Sequence, residues 1–551
     1  MQRNTAVCHA LIGATAGAAL SWGPLLWAGP DVLIGAAHLE NVLHLWTLWV
    51  ASQVGPVVLD TSLANWPTGW QQVTADPINI PVYSLFSTIS PRVGFHAVQV
   101  LNIVASGLAA AWAARVFAPA ASPLLTAFIA TTTCASLTFL HTGMTEVGTL
   151  WLAVATFAWV SRALAPASSR RSIALAGLGL GLCAWGGPYT LIYGAILCVI
   201  ATIAALKAPE RTPTLVRASA VAALGLAIAA KPVWSVLSSR PEGLPGSSSL
   251  TLAALADPHN PMMRSLGADL VELAWPLAQS TARAQDSGHA PYLGLVAVVL
   301  AGVGARRLKH PGVLLVAIGV LLALALGATL QVGDRVVMLG DHVLSMPAAW
   351  LTWLLPPLGR AGRWVRGAAV AGLLLAPVAA AGAAWLSSRV PTRLRLPAMA
   401  VCGLLCAADG LLRGPLPWPA TTTAVSVPPG LVDLKPEGPM LLLSGRRSGT
   451  ARALPMYWQV HHGMPIDANP MFGADSAATT ATRRALEALA SRPGHGSAAP
   501  FLDRLSQQGF RWIVLGPGAR DLDRDGLERV LGPPTTHEGG IVAWQLPPGP
   551  G

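Results

Sequence analysis

GVLLVAIGVLLALALGATL, residues 312–330, contains no charged residue. A run of about 20 apolar residues is what a helix needs to cross the hydrocarbon core of a bilayer. AVCHALIGATAGAALSWGPLLWA, residues 6–28, has the same character near the N-terminus. Of the 551 residues, 53% are hydrophobic and only 11% are charged. A soluble chain carries roughly a quarter charged residues. These stretches therefore predict a multi-pass membrane protein.

Apolar windows predict about eleven spans. They lie near 6–28, 94–116, 121–140, 146–163, 172–187, 189–206, 217–237, 293–306, 312–332, 366–386 and 395–412. Basic residues outnumber acidic ones, 36 to 25. They collect in the short connections 162–172, 207–217, 305–311 and 387–397. Short basic loops belong on the cytoplasmic side. The long connections 29–93, 238–292 and 333–365 carry the acids and are expected outside. The charge excess thus reflects topology. No basic helix interleaved with aromatics is present, and nucleic acid is not an expected partner. The reading gives a cytoplasmic-membrane protein with its N-terminus inside and its C-terminus outside.

The six cysteines fall in apolar segments, without the company expected of a disulfide framework or a zinc site. The N-terminal run lacks a convincing small-residue cleavage site and reads as a retained helix.

Beyond Arg413 the composition turns to Pro, Gly, Thr and charge. PMLLLSG, RWIVLGP and IVAWQL read as short buried strands, and TRRALEALAS and RDGLERVLG as helices. PPGLVDLKPEGP reads as a linker. The expected fold class is mainly α: a transmembrane bundle over 1–413, followed by a small extracytoplasmic α/β domain over 414–551.

Chemistry-bearing residues gather at three places. HLENVLHLWTLWV, residues 38–50, follows the first span and holds Glu40, His38, His44, Trp46 and Trp49. An acid at the membrane boundary is either a functional group with a partner or a solvated loop acid. At four-residue spacing on a helix, His44 would face Glu40. The tryptophans also fit an interfacial aromatic belt, and an amphipathic surface helix could follow Glu40. In the continuing loop, Asp76 of ADPIN is a candidate acid, a helix N-cap or an Asx turn.

LHTGMTEVG places His141 and Glu146 in a short hairpin between two apolar spans. His141 there is either a binding group or a solvated loop residue. PPLGRAGRWVRG sets Arg360, Arg363 and Arg366 three apart, on one side if the segment is helical. Arginine forks match phosphate oxygens. The cluster lies on the side that should be poor in basic residues. The bland reading is an anchor to lipid headgroups.

Together these motifs resemble the GT-C superfamily of membrane glycosyltransferases, which use polyprenyl-phosphate sugars. The likeness rests on ENVLHLW, WPTGWQQVTADPIN, GMTE and GRAGRWVR, and covers most of the chain. It implies an inverting transferase. The catalytic carboxylate after the first span, usually Asp in the family, would be Glu40, with Asp76 as second acid. Arg363 would meet the phosphate, with Arg360 and Arg366 beside it. His44, His141 and Glu146 would line the substrate site. The implied partners are a polyprenyl-phosphate-sugar donor, membrane lipid, and a glycan or lipid acceptor. No metal ligands are assigned, and a divalent cation such as Mg or Mn is left open. Two other classes fit the same residues: a transporter or flippase of lipid-linked sugars, and a noncatalytic membrane assembly protein. Against the transporter, no inverted repeat or matched pair of broken helices is visible.

Overall fold

A computed structural model describes the chain except residues 1, 24, 26–28, 30, 37–39, 65, 68, 74–75, 208–210, 239–266, 277–289, 309–310, 334, 356–357, 359–362, 435–436, 444–448, 468–480, 482–483, 487, 489–498, 517–522, 538–540 and 548–551. The described chain is mainly helical and divides into two compact units. The first comprises Met1–Ala28, Ala75–Val82 and His96–Thr421. The second comprises Gly29–Thr74, Tyr83–Phe95 and Thr422–Gly551.

Among the described residues, six helices are long and apolar enough to cross a membrane. The count becomes seven if Pro123–Thr131 and Cys134–Thr142, bent by 41°, form one broken span. The protein is a multi-pass membrane protein. Helices also occupy the other apolar windows, but they are shorter. Leu295–Gly304 and Pro311–Ala325 are two of them.

The opening stretch 312–330 shows why length is lost. Its helix stops at Ala325, and Gly327 takes a positive φ of 80°. That conformation is cheap only for glycine. Thr329 then forms a bridge with Ser345, and Gln331–Val332 pairs with Arg335–Val336. Apolar composition alone read the whole run as a span. Backbone pairing takes its last residues out of the helix. The expected external loop 333–365 likewise has structure of its own, including a hairpin of Met338–Leu339 with His342–Val343 and the helix Pro347–Leu354.

Gly367–Ser388 lies at the centre of the first unit, with most of its side chains buried. It packs against Leu295–Gly304, Pro311–Ala325, Arg395–Leu412 and Pro123–Thr131. A Cβ at Gly382 would collide with the Leu300 carbonyl, and one at Gly304 with the Val378 carbonyl. Small residues let apolar helices approach where no hydrophobic driving force separates lipid from side chain. At the bend, Thr131 and Thr132 donate their hydroxyls to backbone carbonyls one turn back. That pattern bends helices.

The second unit departs from the expected domain boundary. The stretch after the first span does not stay with the bundle as a loop. Val32–Ile34 pairs antiparallel with Thr422–Ala424, and Asn41–Val54 packs on Gly449–His462. Trp46 is fully buried, and its Nε1 donates to Gln459 Oε1 at 2.6 Å. This corrects both the aromatic-belt reading of Trp46 and the surface-helix reading of the segment.

The expected strands form one sheet. Met440–Leu443 and Trp512–Leu515 are parallel, and Val542–Gln545 is antiparallel to the latter. RDGLERVLG supplies the helix Arg524–Leu531, capped by Asp523 Oδ1 accepting from Gly526 N–H. TRRALEALAS lies largely outside the described residues. The expected linker contains a short helix, Pro429–Leu434.

Candidate functional site

In the first unit, several buried polar side chains surround one short turn. The helix Cys134–Thr142 ends at Gly143 with φ 67°. This left-handed cap turns the chain sharply. Met144 leads into the four-residue turn Thr145–Gly148, which carries Glu146. Two polar networks meet there.

The first network starts at Asp76. It precedes the 3-10 turn Pro77–Asn79 and makes no side-chain cap bond. Instead, Asn79 Nδ2 donates to Asp76 Oδ2 at 2.6 Å and to the Thr145 carbonyl at 3.2 Å. Asn102 Nδ2 donates to Asn79 Oδ1 at 2.9 Å, and Trp151 Nε1 donates to Asn102 Oδ1 at 2.9 Å. Asp76 is 1% exposed. Of its two local readings, the N-terminal position is present, but the carboxylate faces Asn79.

The second network centres on Arg366, which is 5% exposed. Arg363 caps the 3-10 turn Trp364–Arg366, which leads into Gly367–Ser388. Arg366 Nη1 donates to Glu146 Oε1 at 2.5 Å, and Nη2 to Met144 Sδ at 3.1 Å. Its guanidinium carbon sits 4.0 Å from the centroid of the Tyr189 ring. Such stacking is attractive, and more so when water is excluded. Arg363 and Arg366 sit at a turn, and Arg360 lies outside the described residues. Arg366 is a buried ion-pair partner rather than a headgroup anchor.

The remaining expected residues are dispersed. His141 is 2% exposed and meets Thr421 Oγ1 through Nδ1 at 3.0 Å, so the solvated-loop reading fails. Glu40 and His44 belong to the second unit. Glu40 precedes Asn41–Val54, with His44 Nε2 3.5 Å from Glu40 Oε2. The Glu40 side chain is 36% exposed and that of His44 is 8% exposed. His38 lies outside the described residues.

Asn79, Asn102, Trp151 and Tyr189 were not singled out from sequence. Asn79 stands in the same DPIN stretch as Asp76. Asn102 is an amide inside an apolar span, where a polar side chain needs a partner. Among the described residues, no three His, Cys, Asp or Glu side chains converge as a metal-ligand set.

No protein-family model and no curated protein matches the sequence. Solved structures do match. The chain aligns with the arabinofuranosyltransferase AftD from mycobacteria at a TM-score of 0.52 and 15% identity. The alignment covers 98% of this chain and 40% of AftD. At 15% identity this shows that the chain shares the fold of the aligned part of AftD. ArnT from Cupriavidus metallidurans, solved with undecaprenyl phosphate bound, aligns at a TM-score of 0.48 and 11% identity. That alignment covers 100% of this chain and 99% of ArnT. The chain thus spans well under half the length of AftD. At 15% identity, the likeness to AftD concerns architecture. The fold shared with AftD agrees with the GT-C resemblance carried by the sequence motifs.

Proposed function

We propose that this GT-C protein is a membrane glycosyltransferase that moves a sugar from a polyprenyl-phosphate donor to an extracytoplasmic acceptor. The acceptor would be a glycan, a lipid or a protein of the cell envelope. The N-terminus is then cytoplasmic, and the segment 414–551 faces outward.

The observation that carries the reading is Arg366. Its guanidinium is buried, oriented by Glu146 and stacked on Tyr189. Its Nη2 donates to a thioether, a weak acceptor. A phosphate oxygen is a far stronger one, and charge-assisted bonds to it are short. A phosphate at this turn therefore replaces Met144 Sδ at little cost. Arg363 lies three residues away on the same segment.

In the reaction, an acceptor hydroxyl gives its proton to a carboxylate while its oxygen bonds to the anomeric carbon. The bond from that carbon to the lipid phosphate breaks, and the phosphate leaves with the electron pair. Attack opposite the leaving group inverts the anomeric centre through an oxocarbenium-like state. Arg366 meets the charge that develops on the phosphate. By the motif resemblance the base is Glu40, with Asp76 as second acid; Glu40 belongs to the second unit, and Asp76 and Arg366 to the first. Glu40 retains 36% of its side-chain surface, whereas Asp76 is buried and already engaged by Asn79. Asp76 then serves to position the turn through Asn79 and the Thr145 carbonyl.

The test is incorporation of radiolabelled polyprenyl-phosphate sugars by membranes carrying wild type, Glu40→Gln, Asp76→Asn or Arg366→Ala. We expect transfer by wild type and at least about a hundredfold loss for Glu40→Gln and Arg366→Ala, as for other removed charge-stabilising groups. Unchanged transfer by Glu40→Gln, with loss in Asp76→Asn, moves the base to Asp76. Wild-type membranes that bind such donors without transferring sugar from any of them overturn the enzyme reading in favour of transport.

A further inference from the structure

Arg363 and Arg366 stand at the two ends of a single 3-10 turn, Trp364–Arg366. Its own backbone supplies a bond from Arg366 N–H to the Arg363 carbonyl at 3.3 Å. Two tyrosines of the helix Pro188–Ala205 brace it. Tyr189 and Tyr193 are four residues apart and so share a helix face. Tyr189 OH accepts from the Arg363 backbone N–H at 3.3 Å, while its ring underlies the Arg366 guanidinium. Tyr193 OH donates to the Trp364 carbonyl at 3.1 Å. Tyr193 is fully buried. The residue that follows the turn is Gly367. A Cβ there would lie 2.9 Å from the Leu321 carbonyl and 3.4 Å from Tyr193 Cε1. A side chain at that position would push against the elements that hold the turn.

The two hydroxyls act on successive residues of the turn, one on an N–H and the other on a C=O. The Tyr189 ring lies against the guanidinium, and Glu146 Oε1 accepts from its Nη1. A planar fork reads phosphate only when its orientation is held. Neither tyrosine hydroxyl is needed for helix formation, because each of its bonds described here joins two elements.

We propose that Tyr189 and Tyr193 are positioning residues that hold Arg366 in register for a lipid-linked phosphate. The proposal rests on the reading of Arg366 as the phosphate contact. It adds that selectivity for phosphate over an uncharged lipid is set from the Pro188–Ala205 helix.

The test uses the full-length protein in detergent and two probes, undecaprenyl phosphate and undecaprenol, with Kd and thermal midpoint measured for each variant. Wild type should prefer the phosphate. Tyr189→Leu should lose about tenfold of that preference, the scale of one desolvated cation–π contact. Tyr189→Phe keeps the ring and should recover most of it. Tyr193→Phe should lose about threefold, the scale of one neutral hydrogen bond. General damage lowers the midpoint and weakens both probes alike, leaving the preference unchanged, and that result overturns the proposal. Arg366→Ala separates the two readings. If it leaves the preference intact, Arg366 is not the phosphate contact and the underlying reading fails. If it abolishes the preference while Tyr189→Leu does not, the positioning role alone fails.

Discussion

Each unit of the protein holds an acid–base pair built on a short sequence motif, and the two pairs differ in depth. Glu146 and Arg366 come from turns 220 residues apart and meet at 2.5 Å, with side chains 15% and 4% exposed. Glu40 and His44 are helix neighbours, 3.5 Å apart, with side chains 36% and 8% exposed. The first pair exists only because tertiary packing strips water from both groups. The second exists because four residues make a helical turn. Desolvation makes the first pair rigid and makes either partner costly to leave alone. Exposure leaves Glu40 able to exchange His44 for another partner.

The sharpest way to break this contrast is to remove one buried charge. Arg366→Met leaves Glu146 without its guanidinium, and we expect a loss of about 3–5 kcal/mol in the unfolding free energy of the solubilised protein. Adding Glu146→Gln should return part of that loss. A double mutant no better than Arg366→Met would mean that Glu146 is not the partner that matters.

The second unit offers an intermediate case. Burial, with smaller repulsion from His461, pushes the His462 imidazole down to about 4. Its Nδ1 accepts from the Met464 N–H at 3.0 Å, which requires the neutral ring. The unfolded chain therefore binds the proton more readily. The stability contribution is complete above the ordinary value of 6.5 and falls as pH drops towards 4. The loss is up to about 3 kcal/mol. Thermal unfolding between pH 7 and pH 4.5 should show the decline, and His462→Gln should flatten it. A decline that survives His462→Gln assigns it to other groups.

The smallest effect belongs to the pair with the exposed acid. Glu40→Gln should change stability by less than about 1 kcal/mol, the usual scale of a surface ion pair. A loss as large as that of Arg366→Met would erase the distinction between the two pairs.

Much of this architecture was readable from composition. Charge-free runs such as 312–330 announce helices because an unpaired backbone group in lipid is too costly to leave exposed. The three strands PMLLLSG, RWIVLGP and IVAWQL announce themselves by short apolar runs between turn residues. The Glu40–His44 pairing follows from helical spacing alone. The arginine stretch was visible as a departure from the charge asymmetry of the loops. Its burial was not, since nothing near residue 366 in the sequence shows that Glu146 and Tyr189 will cover it.

The amino-acid sequence by itself determined that this chain is membrane-embedded and mainly helical, and it determined which short stretches carry ionisable groups. These properties depend on near neighbours: hydropathy, the helical repeat and turn residues. Tertiary structure decided the rest. It joined Val32–Ile34 to Thr422–Ala424 and ended the helix of 312–330 at Ala325. It also placed Arg366 between Glu146 and a tyrosine ring. Each of these outcomes depends on a partner far along the chain, and local pattern carries no record of which distant segment will satisfy a hydrogen bond or exclude water from a charge.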